Sequence, residues 1–150
     1  MIFFEKQYVE YKNFIYIEIE NVYNKNGWGI SKHVNNNDVI IYTNCEPCFA
    51  SSIYPCFDQP DIKGIFKVKI MAPISWLVLW NEMEKNIEIK TKKKIVEFND
   101  TKLISTYLFC FTASNYIECI NIDENKNIRF FCWRENSKKM KLYVDELKMI

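Results

Sequence analysis

Apolar and polar residues alternate with a period of two through much of the chain, which is the pattern of half-buried β-strands. It is clearest over residues 14–23, where three isoleucines share one face and two glutamates the other: Ile15, Ile17 and Ile19 against Glu18 and Glu20. A second such segment covers residues 66–70 and is closed by Pro73. Further strands are predicted at residues 39–43, 76–80, 87–91, 95–98, 104–112, 116–122 and 128–133. Many short strands without intervening helices predict an all-β, mainly antiparallel chain, arranged as a saddle or sandwich of sheets.

Two segments depart from this alternation. Residues 46–60 contain three prolines and no period of two, which predicts an irregular connection with a short helical turn. Near the C-terminus, apolar residues fall at helical spacing after Ser137, which is suited to cap a helix: Met140, Tyr143, Val144 and Leu147. A short amphipathic helix is therefore predicted there. No internal repeat or linker interrupts the pattern, so residues 1–150 are predicted to form a single domain.

Composition supports a packed globular core and no polyanionic partner. Hydrophobic residues make up 49% of the chain and aromatic residues 16%, which is ample for one core. The 20 basic and 19 acidic residues nearly cancel, so no overall field favours nucleic acid or anionic lipid. The polar runs at residues 35–37 and 92–94 are predicted to be solvent-facing loops.

No targeting signal is recognisable in the sequence. The opening residues M-I-F-F-E-K lack a basic segment followed by an apolar one, and no later stretch approaches the ~18 apolar residues that span a bilayer. We therefore predict a cytoplasmic protein with no membrane partner. The six cysteines are then expected to be reduced, and most of them to be small core residues.

One segment carries a specific resemblance. Residues 42–63 read Y-T-N-C-E-P-C-F-A-S-S-I-Y-P-C-F-D-Q-P-D-I-K. This resembles the signature of the N-terminal domain in zinc aminopeptidases of the aminopeptidase N and leukotriene hydrolase family, where T-Q-x-E-P and A-R precede F-P-C-F-D-E-P-x-x-K. Weaker matches follow at residues 79–81, 103–108 and 128–133, and residues 27–29 resemble a turn of the family. The resemblance covers the chain from about residue 14 onward and implies a β domain that precedes a catalytic domain.

The resemblance assigns a role to two residues. Glu46 stands where the family's glutamate holds the free α-amino group of the substrate, a task for which a carboxylate is suited because its hydrogen bond to an ammonium is charge-assisted. Asn44 replaces a glutamine that lines the same pocket, and its side chain is shorter. The alternative is structural, with both side chains satisfying backbone groups in the loop before Pro47.

The P-C-F-D-Q-P segment is expected to be structural. Asp58 is expected to accept hydrogen bonds from nearby amides, Phe57 to fill the core, and Pro55 and Pro60 to fix the turn around Cys56. Two departures from the family remove an ion pair that would lock the segment: its glutamate is Gln59 here, and its arginine is Ser51.

The sequence lacks the hydrolytic centre that the resemblance would require. The family binds zinc through H-E-x-x-H on a helix and a later glutamate, whereas this chain has one histidine, His33. No cofactor is therefore expected in this chain, and zinc belongs to the catalytic domain that it lacks. Cys45 and Cys48 have C-x-x-C spacing and would form an alternative zinc site with Cys56 and His33, but no second C-x-x-C follows.

Two functions follow from these observations. The favoured hypothesis is a non-catalytic binding or assembly module derived from such an N-terminal domain. In the family the domain is longer, so a sheet edge is expected to be unpaired and open to a protein partner. The alternative is a substrate-recognition part of an aminopeptidase that removes N-terminal residues from peptides, completed by a zinc-bearing catalytic domain elsewhere. A decayed remnant and a hydrolase with another centre are further alternatives.

Overall fold

The structure, a computed structural model, describes residues 14–115, 117–123 and 128–147. It contains eleven strands, namely β1 Gly29–Asn35, β2 Asp38–Asn44, β3 Lys63–Gly64, β4 Lys69–Pro73, β5 Leu77–Trp80, β6 Glu84–Lys90, β7 Lys93–Phe98, β8 Ile104–Ser105, β9 Phe111–Ser114, β10 Ile117–Asp123 and β11 Ile128–Trp133. One α-helix, α1 Ser137–Leu147, follows them, and single 3-10 turns occupy Ala50–Ser52, Thr106–Leu108 and Arg134–Asn136. The predicted all-β, antiparallel fold with a short C-terminal helix is confirmed.

The strands form four antiparallel sheets. A four-stranded sheet has the order β1-β2-β9-β5, and a three-stranded sheet has the order β4-β7-β6. Two-stranded ribbons join β3 to β8 and β10 to β11. Within the three-stranded sheet, β6 is an edge strand, and its Ile87 lies directly across from Val96 of the central strand.

The main core unites the two larger sheets. Val78 and Ala113 of the four-stranded sheet belong to one buried cluster with three residues of the three-stranded sheet: Ala72, Val96 and Phe98. The ring of Trp80 packs edge-on against Phe98 at a centroid distance of 5.6 Å. Alternation explains this arrangement, because every second residue of a strand points to the same face.

A second, smaller core lies under the irregular connection that the prolines predict. Cys45, Ala50 and Ile53 are buried there together, with Tyr54 and Phe109 packed against them. The Tyr54 and Phe109 rings meet edge-on at 5.1 Å. This cluster holds the segment that carries the family resemblance against the rest of the fold, and the 3-10 turn Ala50–Ser52 is the short helical turn predicted for it.

The prediction of a strand at residues 14–23 is wrong. The segment has no regular secondary structure, and the first pairing after it is an isolated bridge between Asn24 and Ser31. Its alternation is intact, but no strand in the described part of the chain lies beside it to accept its backbone hydrogen bonds. Alternation reports which residues share a face, and a partner strand must still be supplied by the fold.

Further expectations need correction. Residues 93 and 94 begin β7 instead of lying in a loop, and the strand predicted at residues 66–70 begins only at Lys69. The strand expected over residues 104–112 is interrupted, because Thr106–Leu108 forms a 3-10 turn between β8 and β9. Ser137 does not cap α1, since its φ of −59° and ψ of −39° make it a helical residue at the end of the preceding 3-10 turn. Strand β1 was missed, because its Ser31, Lys32 and His33 are polar. The signal for it was the two-residue turn at Asn36 and Asn37, where Asn36 adopts a positive φ of 54°.

Candidate functional site

The loop that carries Glu46 follows β2 and is anchored on both sides. Before it, Cys45 is only 2% exposed, and after it Ala50 is fully buried. The amide of Phe49 donates to the Cys45 carbonyl at 2.8 Å and closes the loop into a turn. The Phe49 ring stacks on Trp28 at a centroid distance of 4.9 Å. The backbone of the loop is therefore fixed by apolar contacts next to Glu46.

The turn that presents Trp28 depends on a glycine. Gly29 has a positive φ of 66°, and a Cβ at this position would collide with the hydroxyl of Ser52. The side-chain amide of Asn24 donates to the Trp28 carbonyl at 2.9 Å, and the Trp28 amide donates to the Asn26 side chain at 3.1 Å. Only glycine accepts both this backbone conformation and the close approach of Ser52.

Glu46 projects from this anchored loop into solvent, after β2 and before a cis peptide bond to Pro47. Asn44 ends β2, lies half-buried and pairs across the ladder with Gly29, which has no side chain to cover it. Among the described residues, neither the Glu46 carboxylate nor the Asn44 side chain forms a hydrogen bond or an ion pair. The structural alternative, in which both side chains satisfy backbone groups of the loop, therefore has no contact in its favour.

Asp58 of the P-C-F-D-Q-P segment connects this segment to the turn that follows the Glu46 loop. One carboxylate oxygen of Asp58 accepts the amide of Ser51 at 3.0 Å, and the other accepts the buried hydroxyl of Thr106 at 3.1 Å. The Ser105 hydroxyl donates to the Pro60 carbonyl. The segment is thus tied to both the 3-10 turn after Glu46 and the turn after β8, and the Ser51 amide is a donor of the kind that was expected for Asp58. Sequence reasoning missed Thr106, because it lies 48 residues away.

Phe57 does not fill the core as predicted, since its side chain is 75% exposed. Exposure alternates along the segment, since Cys56 and Asp58 are half-buried while Pro55 and Phe57 are exposed. The Gln59 amide donates to the Phe57 carbonyl at 2.8 Å, which closes a tight turn at Asp58 and leaves the Phe57 side chain outside the core.

The cysteines and the histidine do not form a zinc site. Cys45 is buried and Cys48 exposed, and Cys56 packs against the smaller core while His33 lies exposed on β1. Burial raises the pKa of the Cys45 thiol to about 12, which disfavours the thiolate that a metal requires. No group of three or more His, Cys, Asp or Glu side chains in the described ranges is arranged to hold a metal ion.

The expectation that most cysteines are core residues is also wrong. Of the five whose side chains are described, Cys45 alone is buried.

Comparison with known proteins places these residues in a family. Residues 3–108 match the model of the Peptidase M1 N-terminal domain. The chain is 36% identical over 87 residues to "Aminopeptidase 2, mitochondrial" of Saccharomyces cerevisiae, a match that covers 58% of this chain and 9% of that protein. It is 32% identical over 103 residues to "Probable aminopeptidase 1" of Sulfurisphaera tokodaii, covering 69% and 13%. It is 40% identical over 80 residues to "Probable M1 family aminopeptidase 2" of Encephalitozoon cuniculi, covering 51% and 9%.

The matched part is a small fraction of each relative, 9 to 13% of its length. The match includes Asn44, Glu46 and the P-C-F-D-Q-P segment, since all lie within residues 3–108. Separately, no helix in the part of the chain that the structure describes is long and apolar enough to cross a membrane.

Proposed function

Because this chain belongs to the Peptidase M1 N-terminal domain family, we propose that it recognises the free amino terminus of a peptide through Glu46, as the substrate-recognition part of an aminopeptidase. The observation that carries the proposal is the Glu46 carboxylate, which is exposed on an anchored loop and has no partner among the described side chains and backbone groups. A carboxylate in that state is ready to accept the charged hydrogen bonds of an ammonium group.

The chain alone is not expected to bind a peptide tightly. A single exposed carboxylate and an ammonium gain only about 0.2–1 kcal/mol in water. The interaction strengthens when a second surface excludes solvent and fixes the rest of the peptide. We therefore propose that a catalytic domain supplies that surface. Neither the sequence nor the described residues of this chain hold the zinc ligands of such an enzyme, so the hydrolytic chemistry is assigned to that partner.

The test is a chimera of the yeast relative "Aminopeptidase 2, mitochondrial", in which residues 42–63 of this chain replace the matching segment. The chimera is expected to cleave a substrate with a free amino terminus and not its N-acetylated form. Glu46→Ala in the chimera should lower kcat/KM about 10- to 150-fold, the range for losing a hydrogen bond to a charged group. Glu46→Gln should recover only part of that loss.

Asp61→Ala is the matched control, since Asp61 is an exposed carboxylate of the same segment whose side chain forms no hydrogen bond or ion pair with a described residue. It should leave kcat/KM unchanged. Equal activity of the Glu46→Ala chimera and its parent, with both folded by circular dichroism, would contradict the proposal.

A second candidate is the non-catalytic binding or assembly module. The observation that favours it is the segment at residues 15–20, which has no regular secondary structure and exposes several large apolar side chains. The two candidates differ in what they need: recognition requires Glu46, whereas assembly requires an apolar surface elsewhere. An active chimera that is insensitive to Glu46→Ala would leave assembly as the better account.

A further inference from the structure

An acidic segment without regular structure precedes the first described sheet. Residues 15–20 read I-Y-I-E-I-E and have no regular structure. Ile15 is 60% exposed, and Ile17 and Ile19 are each nearly half exposed. Glu18 and Glu20 are exposed and form no ion pair with any residue in the described ranges. Apolar and acidic side chains therefore alternate along a segment that pairs with no strand in the described part of the chain.

The edge strand β6 has the complementary pattern. Ile87 and Ile89 lie on the face of the sheet that continues into the core, yet Ile89 is 62% exposed. Lys90 ends the strand on the other face, and Lys92 follows in the turn to β7. Lys92 has no ion pair with a described residue, and Lys90 has only Glu88, at 3.5 Å.

The basic end of β6 carries an electrostatic cost of its own. Lys90 lies directly across the ladder from Lys93, and like charges in that position repel each other. No described backbone group donates to or accepts from the outer edge of β6. A strand that brought carboxylates to this end would satisfy that edge and offset the repulsion.

We propose that residues 15–20 of one molecule add as a parallel strand to the outer edge of β6 in a second copy of this chain. In this register Ile15 lies beside Ile87 and Ile17 beside Ile89. Glu18 then lies beside Lys90 on the opposite face, and Glu20 faces the turn that contains Lys92. Residues in register on neighbouring strands point to the same face, so apolar and charged side chains both match.

Charge selects this register over its alternatives. Neither antiparallel register that joins two isoleucine pairs brings a carboxylate to Lys90. One places Glu18 opposite Glu88, and the other places Glu20 opposite Glu84, whose carboxylate already binds Arg129 at 3.0 Å. A shift of the parallel register by two residues toward the start of β6 places Glu18 opposite Glu88. Strand β6 has a bulge between Glu84 and Asn86 at its start and lysines at its end. Both features disfavour pairing with a strand that lacks acidic residues.

A second copy is the partner that the sequence itself supplies, because every molecule carries both the acidic segment and the basic edge. When each of two molecules donates its segment to the other, the contact closes into a dimer. This inference does not rest on Glu46, which lies outside both elements.

The test measures the mass of the full chain in solution by analytical ultracentrifugation, from low to high micromolar concentration. The chain should reach the mass of two copies, and salt should lower the association because the matched pairs are exposed. Glu18→Lys/Glu20→Lys and Lys90→Glu/Lys92→Glu should each raise the dissociation constant more than about tenfold, since each makes the facing pairs repulsive.

An equimolar mixture of the two charge-reversed variants should recover the two-chain mass, because each segment then faces an edge of opposite charge. This recovery also shows that both variants are folded. Lys63→Glu/Lys102→Glu, which changes two exposed lysines elsewhere, should associate as the unaltered chain does. A chain that stays monomeric at all concentrations would overturn the proposal, as would a dimer that neither charge reversal weakens or a mixture that stays monomeric.

Discussion

Removing the Asp58 carboxylate should strongly destabilise the fold, although the Asp58 side chain is only half-buried. Asp58→Ala deletes the acceptor for the Ser51 amide at 3.0 Å and for the Thr106 hydroxyl at 3.1 Å. A hydrogen bond to a charged group contributes about 1.5–3 kcal/mol. The Ser51 amide is near solvent and regains water, so it contributes the lower value, whereas the Thr106 hydroxyl is buried and loses its acceptor. We expect a loss of about 2–4 kcal/mol in the free energy of unfolding.

The measurement is urea unfolding followed by circular dichroism, with the midpoint and slope fitted separately. A loss of that size lowers the midpoint at an unchanged slope and lowers Tm by about 5–12 °C for a chain of this length. Asp58→Asn keeps an acceptor oxygen for one partner and should lose about half as much. Asp61→Ala is the control, and its effect should stay within about 0.5 kcal/mol. An Asp58→Ala protein no less stable than the control would refute the role given to these contacts.

Three further outcomes follow from the structure. Phe98→Ala leaves a cavity in the main core and should lower the free energy of unfolding by about 3–5 kcal/mol in the same measurement. Gly29→Ala forces a side chain at positive φ against Ser52 and should cost about 2–4 kcal/mol, part of which Ser52→Ala should recover because the clash involves its hydroxyl. Iodoacetamide at about pH 8 should alkylate exposed Cys48 and spare Cys45, whose pKa of about 12 instead of 9.0 lowers its thiolate fraction about 1000-fold. Equal labelling of the two cysteines, measured by peptide mass mapping, would contradict that account.

The Cys45 thiol also links stability to pH. Burial raises its pKa in the folded protein, whereas in the unfolded chain it ionises near its ordinary value of 9.0. Below pH 9.0 the Cys45 thiol is protonated in both the folded and the unfolded protein, so it does not make the free energy of unfolding depend on pH. Above it the unfolded chain loses the proton first, so this group lowers the stability as pH rises from about 9 to about 12.

The position of a half-buried strand could be predicted where its alternation is regular. The alternation around Val96 and Phe98 located β7, because one face of that strand meets the core and the other meets solvent. The same alternation over residues 14–23 predicted a strand that the structure does not contain. Both segments have the sequence of a strand, and they differ in whether a strand among the described residues pairs with them, which a local pattern does not encode.

The site was predicted in part for a similar reason. The motif over residues 42–63 located Glu46, Asn44 and Asp58, because those positions lie within one short segment of the sequence. It did not reveal Thr106, which completes the Asp58 contacts, or the stacking of Trp28 on Phe49 that anchors the loop. These contacts join residues far apart in the chain, and they become visible only when the fold brings β1, β2 and the turn after β8 together.

Folding and recognition are carried by different residues of the same short loop. Cys45 and Ala50 bury their side chains, and Phe49 stacks on Trp28, so the loop holds its conformation without help from Glu46. The Glu46 carboxylate contacts no described residue, so its removal takes nothing from the packing or the hydrogen bonds that the structure shows. A loss of peptide recognition on changing Glu46 would therefore report on the carboxylate itself, whereas a loss on changing Asp58 or Gly29 would report on the loop that presents it.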